Sequence, residues 1–165
     1  MNPIYQRCSI RHFQMEPIQE EDIQSLLKAA FSAPSARNLQ PWMFVVVEDI
    51  QKIRRLRDFS PYAGPLETAT LAILVCADLK LNPSLDYCQQ DCAAATENIL
   101  IQAKSMGYGS CWLGGYPNED RIEKLKKFIA LPENVLPLWV IAIGIPNENE
   151  NIKDKWDDHK IIRLK

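Results

Sequence analysis

Four short runs, residues 42–47, 70–77, 110–113 and 136–145, are apolar at successive rather than alternate positions. A strand of that kind has no face to give to water, so it must be covered on both sides. The segments between the runs carry helical stripes instead. Ile23, Leu26, Leu27 and Ala30 recur within residues 20–31, and Pro34 ends the pattern. Asp49 caps a second helix with Ile50, Ile53 and Leu56 inward. Cys88, Cys92, Ala95, Ile99, Ala103 and Met106 share one stripe up to the stop at Gly107, and Asn118 opens a last helix with Ile122, Leu125 and Phe128. Helices interleaved with doubly buried strands imply an α+β chain folded as a three-layer α/β/α sandwich. Strand order and direction stay open, because periodicity does not encode them.

At 165 residues the chain reads as one domain, residues 1–165, large enough to bury a core without metals or disulfides. Its formal net charge of −2 provides no global basic field, which argues against nucleic acid and anionic lipid as partners. No apolar run approaches the roughly 20 residues of a membrane-spanning helix. Five irregularly spaced cysteines and a polar first segment point to a reducing cytoplasm. With two histidines and no His/Cys cluster at zinc spacing, no metal site is expected. Ser35 lacks the Gly-x-Ser-x-Gly setting of a hydrolase nucleophile. Asp91 and Glu97, six apart on a helix, fit surface or subunit contacts better than catalysis. Residues 147–151 form a polar connector, and the tail beyond carries Ile161, Ile162 and Leu164, too few to make a core alone.

Three segments could bind a ligand. Arg7-Cys8-Ser9-Ile10-Arg11 spaces two permanent cations around a hydroxyl, suited to a phosphate and a delocalised anion, although such a run also occurs as a solvated basic surface. The loop Pro34-Ser35-Ala36-Arg37-Asn38-Leu39-Gln40-Pro41 offers a hydroxyl and two amides at the mouth of a strand. It suits the uracil-like edge and ribityl hydroxyls of a flavin, or is a proline-stiffened connection. Gly114 and Gly115, after a strand, would let backbone N–H groups approach a flat ligand, or simply form a turn. Together the first two segments suggest a flavin site.

Four features in order, Arg7-x-Ser9-x-Arg11-x-Phe13, Pro34-Ser35-Ala36-x-Asn38-x-Gln40-Pro41-Trp42, a helix over 91–106 ending in Gly107-Tyr108-Gly109-Ser110-Cys111-Trp112-Leu113-Gly114, and a last strand before Pro146, resemble the FMN-dependent nitroreductase family at its short, single-domain end. The resemblance implies a homodimer with two FMN sites at the interface and a C-terminal tail exchanged between subunits. It implies that Arg7 and Ser9, with Cys8 between them, hold the phosphate and ribityl chain, and that Arg11 sits near the pyrimidine edge. Pro34, Ser35, Ala36 and Asn38 would come from the partner chain, while Leu113, Gly114 and Gly115 would lie near flavin N5. Lys153 and Lys155 would close over the phosphate. The implied activity is ping-pong electron transfer from NADH or NADPH through FMN to a small acceptor such as a nitroaromatic or quinone, with no catalytic side chain. An FMN-binding carrier or sensor without nicotinamide turnover is the alternative. No Asn or Lys of the kind larger members place near the flavin appears around 61–65, and Gly114 stands where some members carry an acid. A more open pocket is expected, because the extra helical excursion of larger members is missing.

Overall fold

The computed structural model describes residues 2–164. Its centre is a four-stranded sheet of β1 (Trp42–Val47), β2 (Leu71–Asp78), β3 (Gly109–Gly114) and β4 (Val135–Gly144), in the order β1-β2-β4-β3. Every neighbouring pair is antiparallel. The central strand β2 is buried from Leu71 to Ala77, as its unbroken apolar sequence requires. β1, read from sequence as equally buried, is an edge strand whose four inner residues are only half-buried.

The two faces of β2 belong to different layers. Leu71, Ile73, Val75 and Ala77 pack with Ile23, Leu26 and Ala30 of α2 (Glu20–Phe31) and with Cys88, Cys92, Ala95, Ile99 and Ala103 of α4 (Leu85–Ser105). Here α2 is the second helix, after a short α1 (Pro3–Gln6) capped by Asn2 that the apolar pattern does not reveal. On the opposite face Ala72, Leu74 and Cys76 pack with Ile53 and Leu56 of α3 (Ile50–Leu56) and Leu125 of α5 (Glu119–Phe128). Helix, sheet and helix therefore form the expected three layers. Asp49 and Asn118 cap α3 and α5 through their side chains, as their positions in the sequence foretell.

Two backbone irregularities shape what surrounds the sheet. Between Val75 and Cys76 the register of β4 steps from Trp139 to Pro137, so Leu138 is the extra residue of a β-bulge. Its carbonyl accepts the N–H of Gly115 at 3.1 Å and of Tyr116 at 2.7 Å, which turns the chain away from β3. At the other end of β3, Gly109 pairs with Gly144. This pair leaves a bare patch on the sheet: a Cβ on Gly109 would lie 2.8 Å from Ile10, and one on Gly144 would lie 2.9 Å from Phe13. Ile10 and Phe13 fill that patch and are each 2% exposed. Main-chain bonds fix the segment there, from Ile10 N to Ser110 O, Gln14 N to Ile145 O and Asn147 N to His12 O.

After β4 the chain leaves the layers. Residues 151–164 are exposed except Asp157, and Ile162 and Leu164 are 88% and 95% exposed. Among the described residues no helix is long and apolar enough to cross a membrane.

Candidate functional site

Seating Ile10 and Phe13 in the glycine patch turns the residues around Ile10 outward, toward a cleft of about 870 Å3. Arg7, Cys8, Ser9 and Arg11 line it from one side, and Lys153 and Lys155 from the tail. Glu97 of α4 and Asp154 also reach the cleft, so four cations face two carboxylates and the site is net positive. Arg7 is half-buried and points its Nε at Glu97 Oε1, 3.5 Å away. The backbone N–H of Arg11 donates to Glu148, while its guanidinium lies near the Ser9 carbonyl at 3.5 Å. Among the described residues Arg11, Lys153 and Lys155 form no ion pair, so their charge is available to a ligand. The field of these cations is felt behind the cleft. Burial pushes the Cys111 thiol up, Arg11 pulls it down, Glu148 raises it and Arg7 lowers it.

The cleft gathers six of the residues read from sequence and leaves Pro34, Ser35, Ala36, Asn38, Leu113, Gly114 and Gly115 outside it. The loop 34–40 lies against the earlier part of α4. Its Ser35 hydroxyl accepts the Gln40 N–H at 3.0 Å, and Asn38 Oδ1 accepts from the Gln40 side chain at 3.2 Å. Arg37, Asn38 and Gln40 have φ of 54°, 56° and 49°, a left-handed backbone that non-glycine residues adopt at a cost of about 1 kcal/mol or more each. Such a conformation persists only where its surroundings impose it. Asp91 is one such support: its Oδ1 accepts the Ala36 N–H at 3.0 Å.

Asp91 corrects the surface assignment made from sequence, since it is 6% exposed and its second oxygen has no hydrogen-bond partner. The signal was present, because Asp91 falls on the same helical stripe as Cys88, Cys92 and Ala95. A carboxylate on a buried stripe needs a donor to hold it there. Glu97 does make the polar contact its position suggested, to Arg7. Ile4, Tyr5 and Trp156 line the cleft as well and were not singled out, because they belong to segments with no periodic pattern.

The glycine pair divides. Gly114 is exposed, with nothing within 4 Å of where a Cβ would stand, and its carbonyl accepts from Arg121 Nη1 at 3.0 Å. Gly115 is buried and its N–H is already committed to Leu138 O. A Cβ there would come within 2.6 Å of that same oxygen, so the bulge rather than a ligand demands glycine at 115. Leu113 is a core residue and can reach a ligand only through its main chain.

The Nitroreductase family model matches residues 4–83 and 61–145. The chain belongs to the nitroreductase family. A protein of Archaeoglobus fulgidus named "Putative NADH dehydrogenase/NAD(P)H nitroreductase" is 42% identical over 98% of this chain and 95% of its own length. A crystal structure from Clostridium acetobutylicum described as "Putative NADH Oxidase" has a TM-score of 0.95 at 41% identity, covering 99% of both chains. An FMN-dependent nitroreductase from Clostridium difficile R20291 has a TM-score of 0.92 at 26% identity, over 99% of this chain and 98% of that one. Oxidoreductase activity is what this membership carries to the chain. The order of helices and strands around the antiparallel sheet is that of the nitroreductase fold.

Proposed function

We propose that the chain is a homodimeric, FMN-dependent oxidoreductase that passes electrons from NADH or NADPH to a small acceptor such as a nitroaromatic or a quinone. The observation that carries this reading is the single cleft onto which Arg7, Ser9, Arg11, Lys153 and Lys155 converge. Its donor set fits FMN: guanidinium forks, ammonium groups and a hydroxyl are the partners a phosphate dianion requires, in a protein with no global positive field. Its volume lies within the roughly 300–1,000 Å3 of cofactor sites.

In this reading Arg7, Ser9, Lys153 and Lys155 hold the phosphate end. Arg11, whose guanidinium has no carboxylate partner, opposes the negative charge that gathers at the pyrimidine edge on reduction. When bound, the flavin supplies two-electron chemistry with donor and acceptor in turn, so no side chain has to act as acid or base. The strained loop at 34–40, anchored by Asp91, and the open backbone at Gly114 serve the flavin held by the other subunit. Exposed Ile161, Ile162 and Leu164 cross to that subunit and gain cover there.

Absorption spectroscopy of the purified, FMN-supplemented protein, followed by anaerobic titration with NADH and NADPH, tests the reading. Flavin bands that persist through gel filtration and bleach on addition of nicotinamide are expected, from a species eluting as a dimer. Failure to retain flavin refutes the proposal. Retained flavin that neither nicotinamide bleaches makes the protein a flavin carrier or sensor instead.

A further inference from the structure

The end of β3 presents a cation that the chemistry above does not use. Arg121, in the first turn of α5, donates from Nη1 to the Gly114 carbonyl at 3.0 Å and lies over the Tyr62 ring, 5.3 Å from its centroid. Its backbone N–H is tied to Asn118 Oδ1 at 3.0 Å. Two contacts from two segments, the Gly114 carbonyl and the Tyr62 ring, therefore hold this head group. Neither neutralises it, because a carbonyl and a ring face carry no net charge. Among the described residues Arg121 forms no ion pair, and the adjacent Asp120 is bound to Lys124 at 2.8 Å.

The surroundings are open on the side that matters. Tyr62 is 75% exposed, and Gly114 is exposed with no atom within 4 Å of a Cβ position. A guanidinium using one of its five N–H donors on protein, an aromatic wall and a backbone bare of side chains together form a receptor for a flat, anionic ligand.

We infer that Arg121 is a specificity-determining residue that draws in acceptors bearing a carboxylate on an aromatic ring, with Tyr62 as the flat wall of the entrance. The inference rests on the reading in which Gly114 borders the flavin ring. A nitrobenzoate would pair its carboxylate with the remaining guanidinium donors, whereas the amide of the same shape would find hydrogen bonds without the charge. Arg121 makes and breaks no bond; it selects what reaches the flavin.

The test uses oxidised, FMN-loaded protein and two ligands it cannot reduce, benzoate and benzamide, measured by isothermal titration calorimetry. Benzoate is expected to bind more tightly, and Arg121→Gln to cut the benzoate-to-benzamide affinity ratio about tenfold, or 1.4 kcal/mol. Arg121→Lys, which keeps the charge without the fork, should restore part of the ratio. The kcat/KM ratio for 4-nitrobenzoate over 4-nitrobenzamide should fall in parallel, and in the wild type both ratios should narrow with added salt. A ratio unchanged by Arg121→Gln, an effect confined to reduction by NAD(P)H, or equal losses for both acceptors overturns the inference; the last would make Arg121 only a strap between β3 and α5. Should Arg121→Gln not fold, a wild-type ratio insensitive to salt overturns it as well. A protein that holds flavin, is bleached by NAD(P)H and fails to distinguish the two ligands refutes this inference alone, while one that binds no flavin removes both readings.

Discussion

Replacing Gly115 with alanine adds one methyl group whose position the backbone dictates. The new Cβ would stand 2.6 Å from Leu138 O, 3.2 Å from Leu125 Cδ1 and 3.4 Å from Leu138 C. The leucine methyl can rotate aside, but the oxygen cannot, since it belongs to the bulge and holds the N–H groups of Gly115 and Tyr116. Relief requires a shift of roughly 0.9 Å to reach favourable contact distance. A shift of that size breaks the 3.1 Å bond from Gly115 N, a loss of about 0.5–1.5 kcal/mol. Overpacking adds about 1–3 kcal/mol, for a total of about 1.5–4.5 kcal/mol. In a domain of this size that lowers Tm by on the order of 8 °C. Gly114→Ala is the control, because its methyl meets nothing within 4 Å. It should leave Tm unchanged or raise it slightly through the unfolded state. Thermal melts followed by circular dichroism, in FMN-free and FMN-saturated samples, measure both variants. A Gly115→Ala protein melting within about 2 °C of wild type, or equal shifts for the two variants, would refute the argument from the bulge.

Tyr108 donates to Asp22 Oδ2 at 2.6 Å, and burial, followed by that hydrogen bond and the carboxylate's charge, pushes its hydroxyl up to about 12. Because this lies above the unfolded value of about 10, its contribution to stability is intact below pH 10 and is lost as pH rises through 12. Denaturant midpoints between pH 9 and 12 should fall less steeply in Tyr108→Phe, though not become flat, since burial also pushes the Cys76 thiol up to about 12. Equal slopes would contradict the assignment. Thiol titration of native protein at pH 8 should count one reactive cysteine, the half-buried Cys8, because burial holds the thiols of Cys76, Cys88, Cys92 and Cys111 up. FMN should slow that reaction, since Cys8 lines the cleft. A second fast thiol in the native protein, or no protection by FMN, counts against the site.

What could be read from the sequence follows a physical division. The layers were legible because burial writes itself along one strand or one helix: 42–47 is β1 to the residue, and β2, β3 and β4 differ from their expected bounds by one residue at each end. Arg7, Ser9 and Arg11 were legible because alternate positions of an extended segment share a side, and the seat of Ile10 turns that side to the cleft. The constraint on Gly115 was not legible because it comes from a bulge in β4, 23 residues further along the chain. The same reason hid the support that Asp91 gives Ala36 across 55 residues. Left-handed backbone at Arg37, Asn38 and Gln40 was hidden too, since none of these is glycine and the strain is imposed by the fold.

The bare patch made by Gly109 and Gly144 sets a rule about chain length that differs from any rule about side chains. Ile10 and Phe13 occupy it three residues apart, and main-chain bonds on both sides fix that spacing. Arg7, Ser9 and Arg11 can each be exchanged without disturbing it. A single-residue insertion or deletion between 10 and 13 cannot, for it would bring a polar neighbour into one of the two seats. In a library built on this segment, functional diversity should therefore survive as substitutions, while changes of length should be recovered only among unfolded clones.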